Sequence, residues 1–336
     1  AHYATIVRQK AQLRSTIHVA TRILTAAYEE AEPGSVLDDG VRQLLSIAGT
    51  SSNGEMPIGE AARAYLDSLD AVTGQAILTG FADLDDLFAP GWEPSYQVII
   101  AGRPSMGKST LSLNIAANVA SRDMPVGIFS LEMMARALGA QALASAGGID
   151  TRRLRQKHLN QTEWTKLADA LSVLQDRPVY VLEGSRTLTQ VQAWSRRLAD
   201  EHGVKLIIVD YLQLLADERS RDQQQEVAVV SRALKRIAED LGVVMLAISQ
   251  LNRAPEARRD KRPQLSELRG SGHLEQTADV VLLLYRGHDQ KTKAEASPAT
   301  EVIVAKNRYG PTGCVRLAFL REQARFANLA RDVEED

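Results

Sequence analysis

The stretch Gln97-Val98-Ile99-Ile100-Ala101-Gly102-Arg103-Pro104-Ser105-Met106-Gly107-Lys108-Ser109 decides how this chain is read. Its opening is a short apolar run of buried-strand character. Its last eight residues match the phosphate-loop pattern G-x-x-x-x-G-K-[ST] at every fixed position. From Thr110 to Ala120, Leu111, Ile115 and Val119 recur at helical spacing. A strand, a tight glycine loop and a helix start make an anion cradle: backbone N–H groups and the positive end of the helix dipole face the phosphates. Lys108 adds a mobile ammonium for the outer phosphates, and the Ser109 hydroxyl can ligate Mg2+.

Outward from the loop, β-rich runs alternate with helical patterns: Val126 to Leu131, Val179 to Leu182, Leu206 to Val209, Val243 to Ser249, Val280 to Tyr285, Val302 to Ala305 and Val315 to Phe319. Alternation of this kind predicts an α/β fold, a mostly parallel sheet with helices on both faces, and ligands at the carboxyl ends of its strands. Two carboxylates stand at such ends. Asp210 closes Leu206-Ile207-Ile208-Val209-Asp210, where it can hold magnesium directly or through a water. Glu132 closes Phe129-Ser130-Leu131-Glu132, where it can orient and deprotonate an attacking water. Gln250 follows the strand ending in Ser249, and its amide can bond the terminal phosphate or the water. Arg269-Gly270-Ser271-Gly272 offers a guanidinium, a hydroxyl and open amides, groups that hold a nucleic-acid phosphate without reading its base.

Before the loop, Ile6, Leu13, Ile17, Ala20, Leu24 and Ala27 recur at steps of three, four or seven, which predicts an amphipathic helix from Tyr3 to Glu30, ended by Pro33-Gly34. Shorter helical patterns cover Val41 to Ala48 and Ile58 to Leu69, so this segment either packs on its own domain or docks on a partner. The domain boundary is expected between Ala71 and Gly80, giving a helical segment over 1–75 and an ATPase domain over 76–336. The chain begins without methionine inside a helical pattern, as a shortened chain or a fragment would.

The 336 residues, 44% of them hydrophobic, can bury a substantial core. No apolar stretch reaches the length of a membrane span and no signal sequence opens the chain, so a soluble, cytoplasmic protein with no membrane contact is expected. Cys314 is the single cysteine, which excludes an intramolecular disulfide and a multi-cysteine zinc site. A net charge of -2 gives no global basic field, so any contact with DNA has to come from a local patch or the lumen of an assembly.

Taken in order, these runs resemble the motor domain of the DnaB-type replicative DNA helicases, a RecA-like fold. The resemblance rests on Ala101 to Thr110, Phe129-Ser130-Leu131-Glu132-Met133, Ile208-Val209-Asp210-Tyr211-Leu212-Gln213-Leu214, Ser249-Gln250-Leu251-Asn252-Arg253, Asp260-Lys261-Arg262-Pro263, Leu268 to Asp279, and Lys306-Asn307-Arg308-Tyr309-Gly310-Pro311-Thr312-Gly313. The opening Tyr3-Ala4-Thr5-Ile6-Val7-Arg8 is similar to the linker region that precedes that motor.

The resemblance implies a ring helicase, six-membered in the family, that hydrolyses ATP with Mg2+ at subunit interfaces and moves 5′ to 3′ on single-stranded DNA. It implies nucleotide contacts at Gly102, Ser105, Gly107, Lys108, Ser109 and Thr110, with Arg286 near the base, and a metal site at Ser109 and Asp210. It further implies Glu132 as catalytic base, Gln250 as the coupler of nucleotide state to movement, and Lys306 with Arg308 as cations reaching a neighbouring subunit's nucleotide. Arg269, Gly270 and Gly272 fall on the DNA-gripping loop, and helicase loaders and other replisome proteins become candidate partners. Gly270 departs from the family's usual glutamate, and Asn307 and Tyr309 from its glutamine and asparagine. The family's N-terminal collar domain, which contacts primase, is outside the resemblance, so primase coupling by this chain alone is not expected. Two other readings share the phosphate loop: a filament-forming recombination or repair ATPase, and a nucleotide-gated loader ring.

Overall fold

The computed structural model describes residues 2–29, 33–48, 57–60, 62–63, 66, 76–184, 187–215, 223–251, 261–268, 271–287 and 299–329. It divides into two compact units, Ala1–Val72 and Thr73–Asp336.

In the first unit, α1 (His2–Tyr28) packs against α2 (Pro33–Ala48). The first helix stops at Tyr28, ahead of Pro33-Gly34. Pro33 also opens the next one, because at the first helical position its missing N–H has no intrahelical partner to lose and its fixed φ suits the helix. The two helices approach closely where α2 has no side chain: a Cβ on Gly40 would lie 2.6 Å from Ile23 Cδ1. The expected helix over Ile58 to Leu69 is described only in part, and residues 58–60, 62–63 and 66 are helical.

The second unit is built on one nine-stranded sheet. The strands are β1 (Gln97–Gly102), β2 (Val126–Ser130), β3 (Val179–Glu183), β4 (Leu206–Asp210), β5 (Val244–Gln250), β6 (Val280–Tyr285), β7 (Ala299–Asn307), β8 (Gly313–Leu320) and β9 (Arg325–Asn328). Their spatial order is β3-β2-β4-β5-β1-β6-β7-β8-β9. The first six in that order run parallel, and β7, β8 and β9 close the sheet as an antiparallel meander.

The pattern of side chains explains the difference. β1, β2 and β4 are buried along their whole length, as strands covered on both faces must be, whereas β7 alternates between buried and half-buried residues. The sequence marks β7 and β8 as strands. It passes over β9, four residues whose only large apolar side chain is Phe326.

Helices cover the sheet on both faces: α3 (Ala82–Leu87), α4 (Lys108–Ala120), α5 (Ala135–Gly147), α6 (Thr151–Gln156), α7 (Gln161–Gln175), α8 (Leu188–His202), α9 (Gln223–Leu241) and α10 (Ser271–Thr277). Alternate residues of β1 enter separate cores. Val98 and Ile100 join Leu111 and Ile115 of α4, while Ile99 and Ala101 join Val230 and Leu234 of α9. Because β1 lies between β5 and β6, fifth of the nine strands, the loop that follows it is held from both sides. Among the described residues no helix is long and apolar enough to cross a membrane.

Candidate active site

The phosphate loop turns where its sequence allows. Gly107 has φ 93° and forms the N-cap of α4, and Ser105 has φ 65°. A Cβ on Gly107 would meet the rings of Phe326 and Phe319 at 3.0 to 3.1 Å, so both conformation and space require glycine there. Lys108 starts α4 and folds its ammonium onto the carbonyls of Gly102 (3.0 Å) and Arg103 (3.2 Å). Ser109 and Thr110 follow in the first turn.

Strand order brings the remaining groups to the same edge. β2, β4, β5 and β1 are consecutive neighbours, so their carboxyl ends present Glu132, Asp210, Gln250 and Gly102 side by side. Ser130 is in register with Asp210 and Gly102 with Gln250, and the N–H of Leu131 bonds the carbonyl of Asp210 at 2.8 Å. Asp210 is 5% exposed. Burial pushes its carboxyl above the usual range and the charge of Glu132 adds to this, against a hydrogen bond from Ser109 and the charge of Lys108. Lys108 is held below its usual range by burial, against the pull of Asp210 and Glu132. Three charged groups, Lys108, Asp210 and Glu132, thus feel one another, with the Ser109 hydroxyl hydrogen-bonded to Asp210.

Arg286, after β6, completes this edge. It is buried, donates from Nη2 to the carbonyl of Ser105 at 3.2 Å, and lies 5.1 Å over the ring of Phe319. Phe319 stacks on Phe326 at 4.5 Å, and the Phe326 N–H bonds Asn114 of α4 at 2.7 Å. The aromatic support behind the loop, drawn from β8 and β9, was not legible in the sequence: nothing in the spacing of Phe319 and Phe326 points to residue 107.

Lys306 and Arg308 stand elsewhere. β6 pairs in parallel with β1, Val98 beside Val280, and Val280 pairs with Asn307, so both cations lie at the amino edge of the sheet. The length of β1 separates them from the phosphate loop, roughly 17 Å at about 3.3 Å per residue. Lys306 donates to the carbonyls of Glu275 (2.5 Å) and Ala278 (2.7 Å), and Arg308 pairs with Asp279 at 3.3 Å. Burial and the adjacent Arg308 lower the pKa of Lys306, against Asp279 and Glu275. Tyr309, 64% exposed, stacks on Tyr96 at 5.0 Å. Of the expected DNA loop, Arg269 and Gly270 lie outside the described residues, while Gly272 falls in α10.

The family model for the DnaB-like helicase C terminal domain matches residues 76–328. The chain belongs to the DnaB-like replicative DNA helicases. It is 38% identical to the replicative DNA helicase DnaB of Leifsonia xyli subsp. xyli over 98% of its own length and 74% of that protein's. It is likewise 38% identical to that of Geobacillus stearothermophilus over 99% and 76%. Among solved structures, the ATPase domain of G40P superimposes with a TM-score of 0.76 at 33% identity, over 82% of this chain and all of that one. A DnaB-like replicative helicase, studied with its interactions with primase, gives 0.80 at 31% over 98% and 79%. This helicase therefore has the RecA-like fold and the ATP-dependent DNA helicase activity of its family, and the relatives support that reading over a recombinase or a loader.

Proposed function

We propose that this helicase hydrolyses ATP in sites shared between two copies of its own chain, arranged in a closed ring, six-membered as implied by the resemblance, and uses turnover to move 5′ to 3′ along single-stranded DNA. The observation that carries this is the separation of the site's halves. Lys108, Ser109, Glu132, Asp210 and Gln250 share one edge of the sheet, while Arg308 and Lys306 lie a strand's length away at the other. That distance exceeds the reach of a lysine or arginine side chain, so the two cations are assigned to a nucleotide on another copy. Residues 76–336 form the motor and 1–75 the helical segment leading to it.

ATP is the nucleotide class proposed, and the residues fit a magnesium nucleotide. Ser109 and Asp210 line one small crevice and offer a hydroxyl and a carboxylate, hard oxygen donors. Among the described residues no larger cluster of metal-binding side chains exists. Magnesium keeps waters and phosphate oxygens as ligands, so two protein oxygens suffice; when bound, it would neutralise charge on the outer phosphates. Lys108 grips the same phosphates, Glu132 takes the proton of the attacking water, and Gln250 senses the terminal phosphate. Arg286 borders the nucleotide, and Arg269 with the amides of Gly270 and Gly272 holds DNA phosphate. Replisome proteins are the proposed partners, in the cytoplasm, since a similar helicase was studied with its interactions with primase.

Mixed assemblies test the shared site. Arg308→Ala and Lys108→Ala each spoil a different half, and an arginine finger is worth on the order of 10³ to 10⁵ in turnover. Each variant alone is expected to keep only a small residual turnover, and their mixture to recover part of the activity, because some interfaces regain both intact halves. No recovery in assemblies shown by native mass spectrometry to hold both chains overturns the reading.

A further inference from the structure

Asp279, at the amino edge of β6, is fully buried, and groups from three other elements converge on it. Its Oδ2 accepts from Lys235 Nζ of α9 at 2.6 Å and from the N–H of Gln97 at the start of β1 at 2.8 Å. Its Oδ1 accepts from Arg308 Nη1 at 3.3 Å, and its carbonyl from the Arg308 N–H at 2.9 Å. Arg308 is therefore held twice by one residue, at backbone and guanidinium, although its side chain is 56% exposed. A buried carboxylate needs one cation to balance it, and Lys235, 18% exposed, supplies that. The second cation is the surface arginine assigned above to the neighbour's site.

Lys306, two residues before Arg308, seats its ammonium on the carbonyls of Glu275 and Ala278 at the end of α10. That helix follows directly on Arg269-Gly270. Upstream of the same loop, Leu268 is fully buried and pairs with Leu251, the residue after Gln250. The described residues on either side of the proposed DNA contact are thus fixed to the nucleotide sensor on one side and to the finger strand on the other.

We propose that Asp279 is a positioning residue for hydrolysis: it aims Arg308 across the subunit boundary, and Lys306, seated on α10, ties that aim to the segment that grips DNA. This rests on the shared-site reading above. It assigns Asp279 no contact with substrate and makes the coupling pass through contiguous hydrogen bonds rather than through the phosphate loop.

The test uses the full chain with Asp279→Asn, which keeps the size and an acceptor for Gln97 but loses the charge facing Arg308. Assembly by native mass spectrometry, nucleotide affinity and single-stranded DNA affinity are expected to stay within about twofold of the parent. Turnover should fall at least about tenfold, and the ratio of kcat with DNA to kcat without it should fall toward one. Mixed with Lys108→Ala subunits, Asp279→Asn should recover activity as Arg308→Ala does, because its defect lies in the same half of the site. Asp279→Asn combined with Arg308→Ala should lose no more than Arg308→Ala alone.

Parent-like kcat and DNA stimulation in Asp279→Asn, or losses that multiply in the double variant, overturn the proposal while leaving the shared site standing. Parent-like turnover in Arg308→Ala overturns the shared site and the proposal together. Should Asp279→Asn fail to fold because Lys235 loses its partner, Asp279→Asn with Lys235→Met removes both charges, and the same measurements decide.

Discussion

Asp210 and Glu132 end neighbouring strands and carry the same functional group, yet their surroundings differ. Asp210 is 5% exposed and its carboxyl is raised by burial, whereas Glu132 is exposed. An acid raised in the folded state binds protons there more readily than in the unfolded chain, so its contribution to stability is full below the usual aspartate range and is lost as pH rises through the raised value. Asp210→Asn is therefore expected to melt higher than the parent at neutral pH without nucleotide, by about 2–4 °C for each kcal/mol relieved, and the gap should close in acid. The same variant should lose magnesium-dependent hydrolysis. Thermal melts across pH, read beside turnover, check both; a lower melting point at neutral pH contradicts the sign. Glu132→Gln, by contrast, should keep nucleotide affinity while losing turnover, and Lys108→Ala should lose the grip on the outer phosphates. Steady-state rates beside nucleotide titrations separate the two, and near-parent hydrolysis by Glu132→Gln removes the base from Glu132.

Among the elements, β9 has an effect out of proportion to its four residues. It ties into α4 through Asn114 and places Phe326 against Phe319 and beneath Gly107. Phe326 is 3% exposed, and its truncation to alanine opens a cavity at a cost of about 3–5 kcal/mol. Because that cavity adjoins the phosphate loop, Phe326→Ala should weaken nucleotide binding as well as stability. Urea unfolding and nucleotide titration test this; a stability loss with unchanged affinity shows the loop to be independent of the hairpin behind it. The phosphate loop, strand and helix could be read from residues 97–120 because every requirement there is local. The support from β9 could not, since residues 107 and 326 meet only once the meander has folded back along α4.

For the whole molecule, the proposed helicase mechanism requires a DNA grip that is indifferent to sequence. A phosphate contact carries charge without base information, so Arg269→Ala should weaken single-stranded DNA binding about equally for all sequences and lower the salt slope by about one counterion's share. Titrations of several oligonucleotides at several salt concentrations measure both quantities. An unchanged slope, or a loss confined to one sequence, gives the loop a structural role instead.

The parallel core, the phosphate loop and the strand-end carboxylates are legible in the order of residues alone, because buried strands need continuous apolar runs and phosphate loops need glycine at fixed spacing. The sequence also carried the family, through motifs in a fixed order. Tertiary structure decided what depends on pairing between distant segments. That β7 to β9 run antiparallel, that Pro33 opens a helix, and that Arg308 and Lys306 lie a strand's length from Lys108 all follow from register and packing. Asp279 shows the reason most plainly: between Ala278 and Val280 it reads as an ordinary aspartate before a strand, and only the meeting of β1, α9 and the end of β7 makes it the point where Lys235 and Arg308 are held.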